Sequence, residues 1–216
     1  MPPPATPHPD RTVLDRRQIP NVLTVLRLVL AAGFFALLEI YRYPGGASAL
    51  LMAAVVVFIA AAATDALDGY LARRWQAESV FGRIMDPFCD KILILGAVLY
   101  LASPAFLNRE TGRMVSGVYP WMVVLVLARE LLVTGIRGIA EQRGINFGAK
   151  AIGKWKMILQ SVVVPVVLLI VAVDPTRDGW RWLVWPRDVL VYATVLVTLV
   201  SGWPYLKGAA ALMREQ

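Results

Sequence analysis

Four aspartates, Asp65, Asp68, Asp86 and Asp90, lie within one short stretch of the chain, beside two uncharged apolar segments. On helices, the first pair lies about 60° apart and the second about 40° apart around the axis, so each pair shares one face. Acids inside a bilayer are costly and are usually functional. Hard oxygen ligands suit Mg²⁺ or Mn²⁺, and four suffice for two ions. The residues therefore predict a two-metal site that binds phosphate groups.

A structural alternative makes these acids helix caps or surface charges paired with Arg73, Arg74, Arg83 and Lys91. It explains one or two acids, but not two same-face pairs on consecutive helices. Gly69 leaves room beside the acids for a ligand, and the guanidinium of Arg73, one turn further on, suits a phosphate. The metal site is therefore the favoured interpretation.

The whole stretch reads Asp65-x2-Asp68-Gly69-x2-Ala72-Arg73-x8-Gly82-x3-Asp86-x3-Asp90. At every fixed position it resembles the signature of the CDP-alcohol phosphotransferase family, whose members are integral membrane enzymes. The resemblance implies that Asp65, Asp68 and Asp86 bind two divalent metals. It also implies that Asp90 contributes to the second metal and acts as the base. Gly69, Arg73 and Ser79 are implied contacts of the CDP group.

The composition is that of a membrane protein, with 58% hydrophobic residues among 216. The single cysteine excludes an intrachain disulfide framework and a cysteine-based metal site. The net charge of +7 fits anionic lipid headgroups and anionic substrates. Nucleic acid is not an expected partner, because no basic run interleaved with aromatic residues lies outside the apolar segments.

Hydropathy predicts an all-α integral membrane fold of six transmembrane helices preceded by a short interfacial segment. Residues 1–18 form a proline-rich tail and that interfacial segment, and residues 19–216 form the membrane domain. Trp180, Trp182 and Trp185 are typical of an interfacial aromatic belt. The six predicted spans are 21–41, 48–74, 82–103, 119–141, 149–173 and 188–206.

The distribution of Lys and Arg predicts that both termini are cytoplasmic, with 14 cations on that side against six on the other. At 1.5 Å per residue, four polar side chains then lie roughly 10 to 12 Å inside the cytoplasmic boundary. Up and down helices thus bring acids and cations to one depth, around a cavity open to the cytoplasm of a bacterial cell. The four residues are Arg27, Asp65, Asp90 and Arg129.

Polar residues also open the first span, at Asn21, Thr24 and Arg27. This opening resembles the N-terminal signature of the same family, where these residues help to line the nucleotide pocket. The structural alternatives are an N-cap for Asn21 and snorkelling of Arg27 to the interface. Beside the acid motif, we favour binding of CDP-diacylglycerol.

Cations on the fourth and fifth spans suit an acceptor that carries its own phosphate. Arg129 and Arg137 lie about 80° apart around one helix, and Lys154 and Lys156 lie near the start of the next. The alternative is that the lysines only set topology and that Arg129 pairs with a structural acid.

Residues 128–137 and 152–156 resemble family members that use glycerol 3-phosphate. The resemblance implies transfer of a phosphatidyl group from CDP-diacylglycerol to glycerol 3-phosphate, giving phosphatidylglycerophosphate and CMP. It also implies a homodimer.

Three other functions were weighed against this one. Inositol phosphate as acceptor would need the same chemistry and a similar cationic site. An intramembrane prenyltransferase would want a longer chain with two separated acidic motifs. A cation channel or carrier would need polar groups along its whole depth or a repeat architecture, whereas the outer half of the second span is uncharged.

Overall fold

A computed structural model describes residues 19–75, 80–142, 151–174 and 179–214. Within them it leaves out the side chains of residues 19–21, 66, 68–73, 75, 80–84, 86–87, 90, 141, 151–155 and 209–214. The six α-helices are α1 Ile19–Ile40, α2 Ser48–Trp75, α3 Val80–Leu101, α4 Pro120–Gln142, α5 Ala151–Ala172 and α6 Val184–Arg214.

Each predicted span has one helix as its counterpart, so the all-α prediction with six helices is confirmed. The largest difference is at α6, which runs from Val184 to Arg214 rather than over 188–206. The apolar part of a span matches the thickness of the hydrocarbon core of the bilayer. The helix itself can extend beyond that core as long as its backbone hydrogen bonds are made. The predicted interfacial segment lies outside the described residues.

The helices are those of a membrane protein. Within the described residues, Val22–Ile40, Ser48–Asp65 and Arg181–Gly208 are long and apolar enough to cross a bilayer. Lys91–Leu101 and Lys156–Ala172 are shorter apolar stretches. In α3 and α5 the charged residues lie in about the first half of the helix, and the rest is apolar.

The helices form a closed ring. Around it, α1 packs against α2, α2 against α5, α5 against α6, α6 against α4, α4 against α3, and α3 against α1. Further contacts join α3 to α5 across the ring. Consecutive helices therefore need not be the closest neighbours: among the described residues, α2 packs more extensively against α5 than against α3.

Aromatic residues fill the interior between α1 and α2. The rings of Phe34 and Phe58 lie 5.4 Å apart, and both side chains are buried. Near the end of α1, Tyr41 packs on Phe106 from the connection between α3 and α4. This packing anchors the α3–α4 connection to the helix bundle.

The α3–α4 connection contains a small antiparallel hairpin, β1 Leu107–Asn108 and β2 Arg113–Met114. The sequence predicted only a loop here, since strands of two residues are too short to show alternation. Arg187 of α6 holds the connection by donating to the carbonyl of Val115 at 2.7 Å, and it also pairs with Asp188. These contacts attach the α3–α4 connection to α6 at the end of the bundle away from the acids.

Candidate active site

The four acids of the predicted metal site lie on two helices. Asp65 and Asp68 belong to the second half of α2, and Asp86 and Asp90 to the first half of α3. Each pair lies within one helix, so the same-face spacing that the sequence predicted applies to both pairs. Asp65 is the acid whose side chain the structure describes.

Arg27 of α1 is the counter-ion of Asp65. Its Nη1 lies 2.7 Å from Asp65 Oδ1, with the arginine side chain 1% exposed and the aspartate side chain 44% exposed. An arginine that snorkelled to the interface would be exposed at its guanidinium. The snorkelling alternative is therefore wrong, and α1 brings a buried positive charge onto the acidic stretch of α2.

The donor set fits divalent cations by its chemistry. Carboxylates are the ligands that Mg²⁺ and Mn²⁺ prefer, and the half-exposed carboxylate of Asp65 stays accessible beside Arg27. Among the described residues no group of three or more potential ligands occurs. The side chains of three of the four predicted metal ligands, Asp68, Asp86 and Asp90, are not among those that the structure describes.

Apart from Ser79, the predicted nucleotide contacts lie on α1 and α2, the two helices that carry this pair. Thr24, one turn before Arg27, is fully buried. Asn21, Gly69 and Arg73 lie in α1 and α2, but their side-chain surroundings are outside the description, and Ser79 lies wholly outside it. Their contact with CDP-diacylglycerol stays a prediction.

The predicted acceptor residues divide into buried and exposed ones. Arg129 of α4 and Lys156 of α5 both contact the carboxylate of Glu130, and the three side chains are about nine-tenths buried. Arg137 is exposed on the later part of α4, and the side chain of Lys154 is outside the description. The structure thus brings Arg129 and Lys156 together.

A hydroxyl of α6 completes the surroundings of Arg129. The guanidinium donates from Nη1 to Glu130 Oε1 at 2.8 Å and from Nη2 to Ser201 Oγ at 2.7 Å. Gly202 leaves space for the side chain, since a Cβ there would lie 3.2 Å from Arg129 Cγ. The helices α4 and α6 therefore meet at one buried arginine, and α5 reaches its partner Glu130 through Lys156.

Sequence reasoning did not assign a site role to Glu130, Ser201 or Gly202. Adjacent helical residues point about 100° apart, so Arg129 and Glu130 do not look like a pair from their spacing. An acid inside an apolar helix was the available signal for Glu130. Ser201 and Gly202 give no such signal, because small residues are common in membrane helices.

A further polar contact joins α3 to α4 beside the acids. Lys91, which follows Asp90 in the sequence, donates from Nζ to Thr134 Oγ1 at 2.9 Å. Thr134 in turn donates to the carbonyl of Glu130 at 2.8 Å. The acidic stretch of α3 and the basic cluster of α4 therefore lie at the same end of the bundle.

Comparison with known proteins identifies a family and several relatives to which this chain is similar. A model of the CDP-alcohol phosphatidyltransferase family matches residues 17–200. A CDP-diacylglycerol–glycerol-3-phosphate 3-phosphatidyltransferase of Cereibacter sphaeroides is 28% identical, over 92% of this chain and 98% of its own length. The enzyme of that name from Bacillus subtilis is 29% identical, over 87% and 92%.

A probable phosphatidylglycerophosphate synthase of Mycobacterium tuberculosis is 33% identical, over 88% of this chain and 80% of its own length. The family match includes the first five helices, all four aspartates and most of the membrane-crossing part of α6. The chain therefore belongs to the CDP-alcohol phosphatidyltransferase family.

Proposed function

We propose that the protein transfers the phosphatidyl group of CDP-diacylglycerol to glycerol 3-phosphate, giving phosphatidylglycerophosphate and CMP. The observation that carries the proposal is the meeting of acids and buried cations at one end of the bundle. The Arg27–Asp65 pair and the cluster of Arg129 and Lys156 lie at that end. The names of the relatives support the same pair of substrates.

Asp65, Asp68, Asp86 and Asp90 would hold two divalent cations, Mg²⁺ or Mn²⁺. When bound, such ions lower the charge of a pyrophosphate and stabilise oxygens in an in-line displacement. Arg27 holds Asp65 in place from the buried side, which leaves the other side of that carboxylate accessible. The proposed contacts of CDP-diacylglycerol are Asn21, Thr24, Arg27, Gly69, Arg73 and Ser79.

In the reaction, a hydroxyl oxygen of glycerol 3-phosphate bonds to the phosphorus that carries the diacylglycerol. The bond from that phosphorus to the oxygen bridging it to CMP breaks, and CMP leaves with the electron pair. Asp90 accepts the proton of the attacking hydroxyl. Arg129, Arg137, Lys154 and Lys156 hold the acceptor's own phosphate by charge-assisted hydrogen bonds.

The orientation in the membrane belongs to the same proposal. The excess of Lys and Arg at the end that carries the acids supports a bacterial cytoplasmic membrane with this end toward the cytoplasm. Water-soluble glycerol 3-phosphate would reach the site from that side, and CDP-diacylglycerol from the bilayer. A homodimer is proposed from the resemblance, and chemical cross-linking in native membranes tests it.

The deciding experiment uses purified protein in lipid nanodiscs with CDP-diacylglycerol and Mg²⁺. Glycerol 3-phosphate and inositol phosphate are supplied in separate reactions, and both CMP release and the lipid product are measured. We expect CMP and phosphatidylglycerophosphate in equal amounts with glycerol 3-phosphate. Product from inositol phosphate alone would change the acceptor but keep the reaction class.

The Asp86→Asn variant is the control for contaminating activity, because it removes one proposed metal ligand from the same preparation. CMP release with phosphatidic acid as the lipid product would instead indicate hydrolysis of CDP-diacylglycerol by water. That result would contradict the proposed transfer.

A further inference from the structure

The carboxylate of Glu130 contacts two cationic side chains, one from α4 and one from α5. Its Oε1 contacts Nη1 of the neighbouring Arg129 at 2.8 Å and also the ammonium of Lys156 on α5. All three side chains are about nine-tenths buried. Two buried like charges repel each other in a medium of low dielectric constant, so a carboxylate between them is what allows them to lie together.

The other side of Arg129 is held by α6. Ser201 Oγ accepts from Nη2 at 2.7 Å and donates to the carbonyl of Thr198 at 2.7 Å, which fixes the direction of its hydroxyl. The absence of a side chain at Gly202 lets the arginine stem pass close to the α6 backbone. Both ends of the guanidinium fork are thus held before any substrate binds.

Long cationic side chains lose rotamer entropy when they are ordered. A site that orders them in the free protein does not pay this cost during binding, and it keeps their donors aimed. From these contacts we infer that Glu130 and Ser201 are positioning residues for the acceptor phosphate, and that they act by holding Arg129 and Lys156. The inference rests on the proposed function.

The sign of the effect separates positioning from simple electrostatics. A carboxylate close to a bound phosphate repels it, so removing the charge of Glu130 would by itself strengthen phosphate binding. If Glu130 instead holds the two cations, its removal lets them move apart, and binding becomes weaker. The two explanations therefore predict opposite changes in the KM for glycerol 3-phosphate.

The experiment measures steady-state kinetics of the full-length protein in nanodiscs for Glu130→Gln, Glu130→Asp and Ser201→Ala. For Glu130→Gln we expect the KM for glycerol 3-phosphate to rise at least about tenfold, with the KM for CDP-diacylglycerol within about twofold of wild type. Glu130→Asp keeps the charge and should give an intermediate KM. Ser201→Ala removes one hydrogen bond and should raise the KM by roughly threefold to tenfold.

Two matched controls lie away from the cluster. Asp188→Asn breaks an adjacent arginine–acid pair, Arg187 with Asp188, at the other end of the bundle. Thr194→Val removes a buried α6 hydroxyl that donates to its own helix at Leu190. Both should leave the two KM values within about twofold of wild type.

An unchanged or lower KM for glycerol 3-phosphate in Glu130→Gln would overturn the inference, as would equal rises in both KM values. If Glu130→Gln does not fold, Ser201→Ala decides by the same criterion. If the wild-type enzyme forms phosphatidylglycerophosphate but the Glu130 and Ser201 variants keep the wild-type KM for glycerol 3-phosphate, the positioning role is refuted and the proposed function stands. A wild-type enzyme that does not use glycerol 3-phosphate refutes the proposed function, and the inference with it.

Discussion

Breaking the Arg27–Asp65 contact from both sides tests whether α1 supplies a working counter-ion to the acidic stretch. The perturbation is a double-mutant cycle of Arg27→Gln, Asp65→Asn and the two together. Glutamine and asparagine remove the charges with little loss of volume. The cycle cancels what each side chain contributes through its other contacts, so it isolates the coupling between the two.

The magnitude follows from the geometry of the pair. Removing one partner of a fully buried ion pair costs about 3 to 5 kcal/mol, whereas exposed pairs contribute about 0.2 to 1 kcal/mol. Here the atoms lie 2.7 Å apart with the arginine 1% exposed, but the aspartate is 44% exposed and partly screened by solvent. We therefore expect a coupling free energy of about 2 kcal/mol.

The assay is thermal unfolding in detergent, followed by the fluorescence of the seven tryptophans. For a chain of this length, 2 kcal/mol corresponds to roughly 4 to 8 °C in Tm. The control cycle uses Arg42 and Glu39, which lie 3.1 Å apart but are 60% and 63% exposed. Its coupling should be less than about 0.5 kcal/mol, because both side chains are exposed at the end of the first span, where the membrane interface screens their charges.

Equal coupling in the two cycles would refute the reasoning, because burial of Arg27 would then add nothing to the interaction. A coupling below about 0.5 kcal/mol for Arg27 and Asp65 would do the same. In either case Arg27 would be a nucleotide contact or a packing residue rather than the counter-ion of the acid.

Three further predictions concern the reaction. Asp86→Asn should abolish turnover at every Mg²⁺ or Mn²⁺ concentration while folded protein remains in the membrane; near-normal activity in chelator-treated buffer would contradict the metal site. Asp90→Asn should lower kcat by roughly 100-fold or more with CDP-diacylglycerol binding retained, and loss of that binding with intact chemistry would make Asp90 a ligand only. Lys154→Gln should raise the KM for glycerol 3-phosphate by roughly tenfold to a hundredfold. Arg137→Gln tests the exposed one of the proposed phosphate contacts in the same assay. An unchanged KM for glycerol 3-phosphate in both variants would show that the acceptor phosphate does not contact these two side chains.

Much of the fold and of the acidic part of the site could be predicted because the relevant signals are local. Hydropathy over about 20 residues marks a membrane helix, and the spacing of Asp65 and Asp68 or of Asp86 and Asp90 determines which face of a helix they share. Neither property depends on which helices become neighbours. The six helices agree with the predicted spans for this reason, while the bounds of α6 do not, since its backbone hydrogen bonds continue beyond the apolar stretch.

Tertiary structure alone decided how these charges are paired. Arg27 is buried on Asp65 because α1 packs against α2, and spacing within α1 says nothing of that. Ser201 reaches Arg129 from 72 residues away in the chain. Glu130 joins Arg129 and Lys156 because long side chains from α4 and α5 converge where these helices meet α6. Such pairing depends on helix neighbours and rotamers, which are properties of the packed bundle and not of any one segment.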